Sequence, residues 1–174
     1  MKLIALTAAP SRVFDIEFAK PELVMLSQSL SYVNGDVPND QAFITILGAS
    51  RAHCKSLVAY LDELDRRITG QQGIQGLYRL ESAESPGEHG NTSEKLEVPM
   101  LCVQICRESA IVRLCKAEAA VLVKALSQWA NGIKIYECEF STRFGVSRSD
   151  VRILLEQLHL VLVMHVAGLK AERI

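Results

Sequence analysis

The chain has 174 residues, 49% of them hydrophobic, with a formal net charge of −1 and a sequence pI near 6.4. That length fits one compact domain or two small ones, and the apolar content excludes a chain that is mainly disordered. A near-neutral charge also weighs against a protein whose main task is to neutralise phosphates, because a basic footprint marks nucleic-acid binders.

Taken in chain order, residues 2–8 read as a first strand, with one Lys and an apolar run too short for a signal peptide. Residues 13–18 alternate, with Phe14, Ile16 and Phe18 on one side and Asp15 and Glu17 on the other, as a half-buried strand requires. Pro21 suits the first turn of a helix. Leu23, Leu26, Leu30 and Val33 then line one side as far as Asn34-Gly35, where a left-handed glycine is expected to end the helix. A loop over residues 36–40 leads to a short helix bearing Phe43 and Leu47, a turn at Gly48, and a long helix from Ser50 to about Arg67. Residues 70–76 read as a turn and 74–80 as a strand, and residues 81–98 are polar and small enough to be a linker. His89 within them is a solvated loop residue.

Residues 99–115 read as two strands in a hairpin around Arg107-Glu108-Ser109. Residues 117–130 form a helix with Val121, Leu122, Ala125, Leu126 and Trp129 inward, ending at Asn131-Gly132. Phe140 and Phe144 lie four apart, Gly145 makes a turn, and Ser147 can cap the next helix, to which Val151, Leu154, Leu155 and Leu158 give an apolar face. The run HLVLVMHVAGL after Leu158 is too short and too interrupted for a membrane span; it is either a buried continuation of the helix or a strand in the position of a wing, and its β-branched content slightly favours the strand.

The two halves of the chain repeat this pattern. Phe43, Thr45, Leu47, Gly48, Ala49, Ser50 and Arg51 align at one offset with Phe140, Thr142, Phe144, Gly145, Val146, Ser147 and Arg148. Upstream, one residue out of step, Lys20, Glu22, Leu26, Leu30 and Ser31 align with Lys116, Glu118, Leu122, Leu126 and Ser127. The expected architecture is α+β: two tandem copies of a strand-plus-three-helix unit with short antiparallel strands. The first copy spans residues 1–80, the linker 81–98 and the second copy 99–174.

Residues 139–158 resemble the helix-turn-helix of bacterial winged-helix regulators of the gluconate-repressor type. Phe140 and Ser141 stand for that family's Leu-Ala pair and Phe144 for its second Leu, while Gly145, Val146, Ser147 and Arg148 match as they stand. The resemblance implies a second helix that meets DNA, with Arg148, Ser149 and Arg152 of the second copy, and Arg51 and Lys55 of the first, facing groove and phosphates. Ile44 and Ile46 depart from the pattern: Ile44 replaces the small residue where the two helices approach, and Ile46 is apolar where a solvent- or DNA-facing residue belongs. Asp150 and Glu156 dilute the charge.

Catalytic chemistry finds little in the sequence. There is no phosphate loop, no nucleophile elbow and no His pair at metal-ligand spacing. Cys54 adjoins His53, but neighbours on a helix point about 100° apart. Cys54, Cys102, Cys106, Cys115 and Cys138 form no CxxC pair and suit unpaired thiols in a cytoplasmic protein. The expected function is therefore a non-catalytic protein-binding module without cofactor or metal, a stoichiometric inhibitor or adaptor such as a bacterial toxin-neutralising immunity protein. A DNA-binding transcriptional regulator is the alternative. The candidate surface for either partner is Arg143, Arg148, Ser149, Arg152, Arg51 and Lys55.

Overall fold

A computed structural model describes residues 1–6, 13–70 and 101–166. The expected strand at 74–80 and the linker at 81–98 lie outside the described residues. The described chain is α+β, in the order β1 (Lys2–Leu6), β2 (Val13–Ala19), α1 (Lys20–Asp36), α2 (Asp40–Leu47), α3 (Arg51–Thr69), β3 (Leu101–Ile105), β4 (Ser109–Cys115), α4 (Lys116–Gly132), α5 (Glu137–Phe144) and α6 (Arg148–Val166). Element lengths recur: 7 residues in β2 and β4, 17 in α1 and α4, 8 in α2 and α5, and 19 in α3 and α6.

The strands form a single antiparallel sheet in the order β1-β2-β4-β3, so strands from both halves meet at its centre. In that central pair Ile16 faces Val112, Val13 faces Cys115 and Ala19 faces Ser109, a pairing that is symmetric about Ile16 and Val112. The alternation read from the sequence sets the two faces. Phe14, Ile16 and Phe18 with Ala110, Val112 and Leu114 are buried in the core shared with the helices, and each fully buried Phe, Ile, Val or Leu side chain contributes about 1.5–3 kcal/mol. On the opposite face the Arg113 guanidinium donates to both carboxylate oxygens of Asp15 at 2.7 Å, and Ser109 Oγ donates to Glu17 at 2.7 Å. β3 and β4 form the expected hairpin.

Each of the two central strands runs straight into a long helix. The Glu22 side chain accepts the Ala19 N–H at 2.7 Å, and Glu118 accepts that of Cys115 at 2.8 Å, each holding an amide that the first turn leaves without an intrahelical partner. α1 lies against α3 and α4, and α4 against α6. Where the halves meet, Trp129 is fully buried against Phe140 and Phe144, with ring centroids 5.4 and 5.3 Å away, and Tyr32 of α1 stands edge-on to Phe144 at 6.2 Å. Lys124 of α4 reaches the other way, donating to the Leu47 carbonyl at 3.3 Å at the end of α2.

Three expectations are corrected. The helices do end at the asparagine-glycine pairs, α4 on Gly132 and α1 one residue past Gly35 at Asp36, but neither glycine is left-handed, and the residues that follow, Val37 and Ile133, are extended. Among the described residues only Gly48 (φ 75°) and Gly145 (φ 71°) are left-handed. The apolar run after Leu158 is helix rather than strand, because Val151, Leu154, Leu158 and Val161 continue one buried face at helical spacing and α6 extends to Val166. Ile44 is 45% exposed on the outside of α2 and does not sit at the close approach of two helices.

Candidate functional site

The two corners, α2-Gly48-α3 and α5-Gly145-α6, are built alike. Each glycine closes its helix by donating its N–H back four residues, to Ile44 and to Ser141. A serine then opens the next helix: Ser50 Oγ accepts from His53 N at 3.2 Å and Ser147 Oγ from Asp150 N at 3.1 Å.

The residue after each serine is an arginine, and both are used internally. Arg148 donates from Nη1 to the carbonyls of Ala130 and Ile133 at 3.1 and 3.0 Å, and from Nη2 to that of Ile135 at 3.0 Å. Its Nε lies 3.4 Å from the Glu137 carboxylate and its guanidinium stacks 4.7 Å from the Phe140 ring centroid. Arg51 repeats the arrangement, binding the Asn34 carbonyl, the Val37 carbonyl at 2.9 Å and Asp40 at 2.8 Å, and stacking 4.5 Å from Phe43. The ends of α1 and α4 leave carbonyls without intrahelical partners, and each guanidinium gathers them into one fork. With side chains 12% and 21% exposed, Arg148 and Arg51 do not present themselves to a groove or to phosphates.

The remaining predicted residues are at the surface. Arg143 lies over the Phe144 ring at 5.5 Å, Ser149 meets Ser147 at 2.7 Å, and Arg152 and Lys55 are exposed. Apart from Lys55, they share the second corner with exposed Glu137, Glu139, Asp150 and Glu156, so positive charge is not concentrated there.

A feature that sequence reasoning missed is the outer side of α6. Ile153, Leu160 and Val163 are 53%, 54% and 52% exposed. At about 100° per residue they fall on one side of the helix. The same places on α3 hold Ser56, Glu63 and Arg66, and Glu63 there accepts from Arg67 Nε at 2.7 Å, a bond that lowers its carboxyl below the usual range. The signal was available as the contrast between the aligned segments, one charged and one apolar.

Beside Ile153 a groove of about 630 Å³ runs between the start of α1 and the α5-α6 corner. Met25, Ile153 and Leu154 supply its apolar wall, and Glu22, Asp150 and Gln157 its polar rim.

Cys54 is fully buried and its thiol is pushed up to about 11 by burial, the reverse of what a thiolate nucleophile requires, while burial lowers the neighbouring His53. Among the described residues no three metal-ligating side chains cluster, and no helix is long and apolar enough to cross a membrane. No protein-family model, curated protein or solved structure matches the chain.

Proposed function

We propose that this chain is a non-catalytic protein-binding module that docks its partner on the outer side of α6, in the manner of a stoichiometric inhibitor or adaptor; a toxin-neutralising immunity protein is the concrete form. The observation that carries this reading is the row Ile153, Leu160 and Val163, each about half exposed on a helix whose counterpart is polar at the same positions. Apolar side chains grouped on one exposed face lose unfavourable hydration only when something covers them. We further infer that the chain is a doubled unit, a reading supported by the recurring element lengths and the symmetric central pair. Doubling gives each copy freedom to diverge: α3 keeps a charged surface, and α6 carries the interface.

A DNA-binding regulator is the second reading, favoured by the two glycine corners with their serine caps. Against it, the two arginines that the motif would direct at DNA are committed to carbonyls of their own fold.

One pair of measurements separates the readings. Wild-type protein and the Ile153→Asp/Leu160→Asp variant are immobilised and exposed to an extract of the native cells. Both proteins are also titrated against random duplex DNA from low to high salt. A single partner held by the wild type and lost by the variant is expected, with no retention on DNA at low ionic strength. Equal capture by both proteins, or DNA binding that falls steeply with salt, overturns the proposal.

A further inference from the structure

Strands from the two halves are joined at one place in the described sheet, the β2-β4 pair, and the two faces of that pair differ in how selective they are. The inner face is permissive. Phe14, Ile16 and Phe18 recur on alternate residues, so a partner shifted by two residues, or a second β2 from another copy, still meets an apolar strand. The outer face is selective. There Asp15, only 9% exposed, faces Arg113 in register and accepts two hydrogen bonds from its guanidinium at 2.7 Å, while Glu17 beside it accepts from Ser109 Oγ. A buried carboxylate without its cation is strongly unfavourable, and like charges set opposite each other across a strand pair add to the cost.

We propose that the Asp15-Arg113 fork is a pairing lock: it lets β2 join β4 and refuses a like strand from a second copy, so that two copies can associate through these strands only by exchanging halves. The register supplies the reason. A β2-β2 pair centred on Ile16, as the native pair is, sets Asp15 against Glu17 of the second copy; centred on Asp15 or on Glu17, it sets a carboxylate against its own counterpart. β4 holds no acidic residue, so a β4-β4 pair gives Arg113 no carboxylate. β2 with β4 satisfies both charges, and does so equally when the two strands come from different chains. Residues 71–100 join the halves, a length that at about 3.3 Å per extended residue lets one half reach a second copy. Two copies that exchange halves contain two complete β2-β4 junctions, whereas a like-with-like pair contains none. Selectivity here comes from repulsion of the wrong strand as much as from attraction of the right one. The lock does not rest on the docking role of α6.

The test mixes two charge-reversed full-length variants, Asp15→Arg and Arg113→Asp. Each alone sets like charges together within its own chain, and exchange between identical copies repeats the fault. In a one-to-one mixture, exchange restores an opposite pair at both junctions. The variants, one of them isotope-labelled, are unfolded in urea and refolded apart and together, and the species formed are identified by native mass spectrometry and light scattering. The expected result is monomer with a lowered urea midpoint for each variant alone, and in the mixture a dimer holding one copy of each, its midpoint raised toward wild type. The double variant Asp15→Arg/Arg113→Asp, which repairs the pair within one chain, should be monomeric and recover most of the lost midpoint. Where a single variant does not fold alone, folding only in the mixture is the same result. A mixture without the mixed dimer, as much dimer in either variant alone, or a double variant no more stable than the single ones overturns the proposal.

Discussion

Replacing Arg148 by alanine tests whether the arginine at each corner serves the fold or a ligand. Its guanidinium makes three hydrogen bonds to main-chain carbonyls near the end of α4, at 3.0–3.1 Å. Bonds to a charged group contribute roughly 1.5–3 kcal/mol each where the acceptor is left dry, and less where water replaces the donor. Because a side chain 12% exposed leaves water a narrow entry, partial replacement is expected, and the loss should be about 2–4 kcal/mol in all. The ion pair adds little, since Glu137 is 57% exposed and such pairs are worth up to about 1 kcal/mol. Arg148→Lys should recover less than half, because an ammonium cannot span three carbonyls as a fork does. Urea unfolding followed by circular dichroism reads this as a lower midpoint at unchanged slope. Arg152→Ala, at an exposed position, is the control and should shift stability by less than about 0.5 kcal/mol. If Arg148→Ala changes stability no more than Arg152→Ala does, the guanidinium is not holding α4 and the structural reading fails.

Further expectations concern the glycines, α6 and pH. Gly145→Ala should cost about 1–2 kcal/mol from its left-handed backbone alone, as nothing lies within 4 Å of the added carbon, whereas Gly35→Ala, helical and equally unobstructed, should stabilise by about 0.5–1 kcal/mol in the same melts. Leu158→Ala should cost about 2–5 kcal/mol and Leu160→Ala less than about 1 kcal/mol; similar losses at both positions would indicate a strand, in which residues two apart share a face. For pH the sign comes from His53, which burial lowers below 6.5 in the folded state. The unfolded chain then binds more protons, so this contribution is complete above pH 6.5 and is lost as pH falls below it. The unfolding midpoint of wild type should fall between pH 7 and 5 more than that of His53→Gln, and parallel profiles would refute the assignment.

What could be read from the sequence and what could not divides along physical lines. Period-two alternation in β2 and the four-residue spacing of Phe140 and Phe144 are local, so they could be read directly. So could the left-handed glycines at the corners, because each lies between a broken apolar pattern and a capping serine. The run after Leu158 was harder, since composition pointed to a strand while its period pointed to a helix. A face that continues from Val151 through Val161 outweighs the weak β-preference of a few branched residues.

Arg51 and Arg148 show a different limit, and it bears on function. A surface motif and an internal clamp can share the letters Gly-x-Ser-Arg, because what the arginine does depends on carbonyls that lie distant in sequence and on whether an acidic residue and a phenylalanine approach from the preceding helix. Both halves carry that companion set, Asp40 with Phe43 and Glu137 with Phe140, at the same distances from the arginine along the chain. Two independent DNA-facing arginines would have no reason to keep a carboxylate and a ring in step. Two clamps do, because the carboxylate and the ring hold the guanidinium where helix ends need it. On the reading that the chain is a doubled unit, the recurrence carries information that a single motif lacks. What recurs in both halves serves the fold, and what differs, with Ile153, Gln157, Leu160 and Val163 against Ser56, Tyr60, Glu63 and Arg66, is where a function peculiar to one half has room to reside.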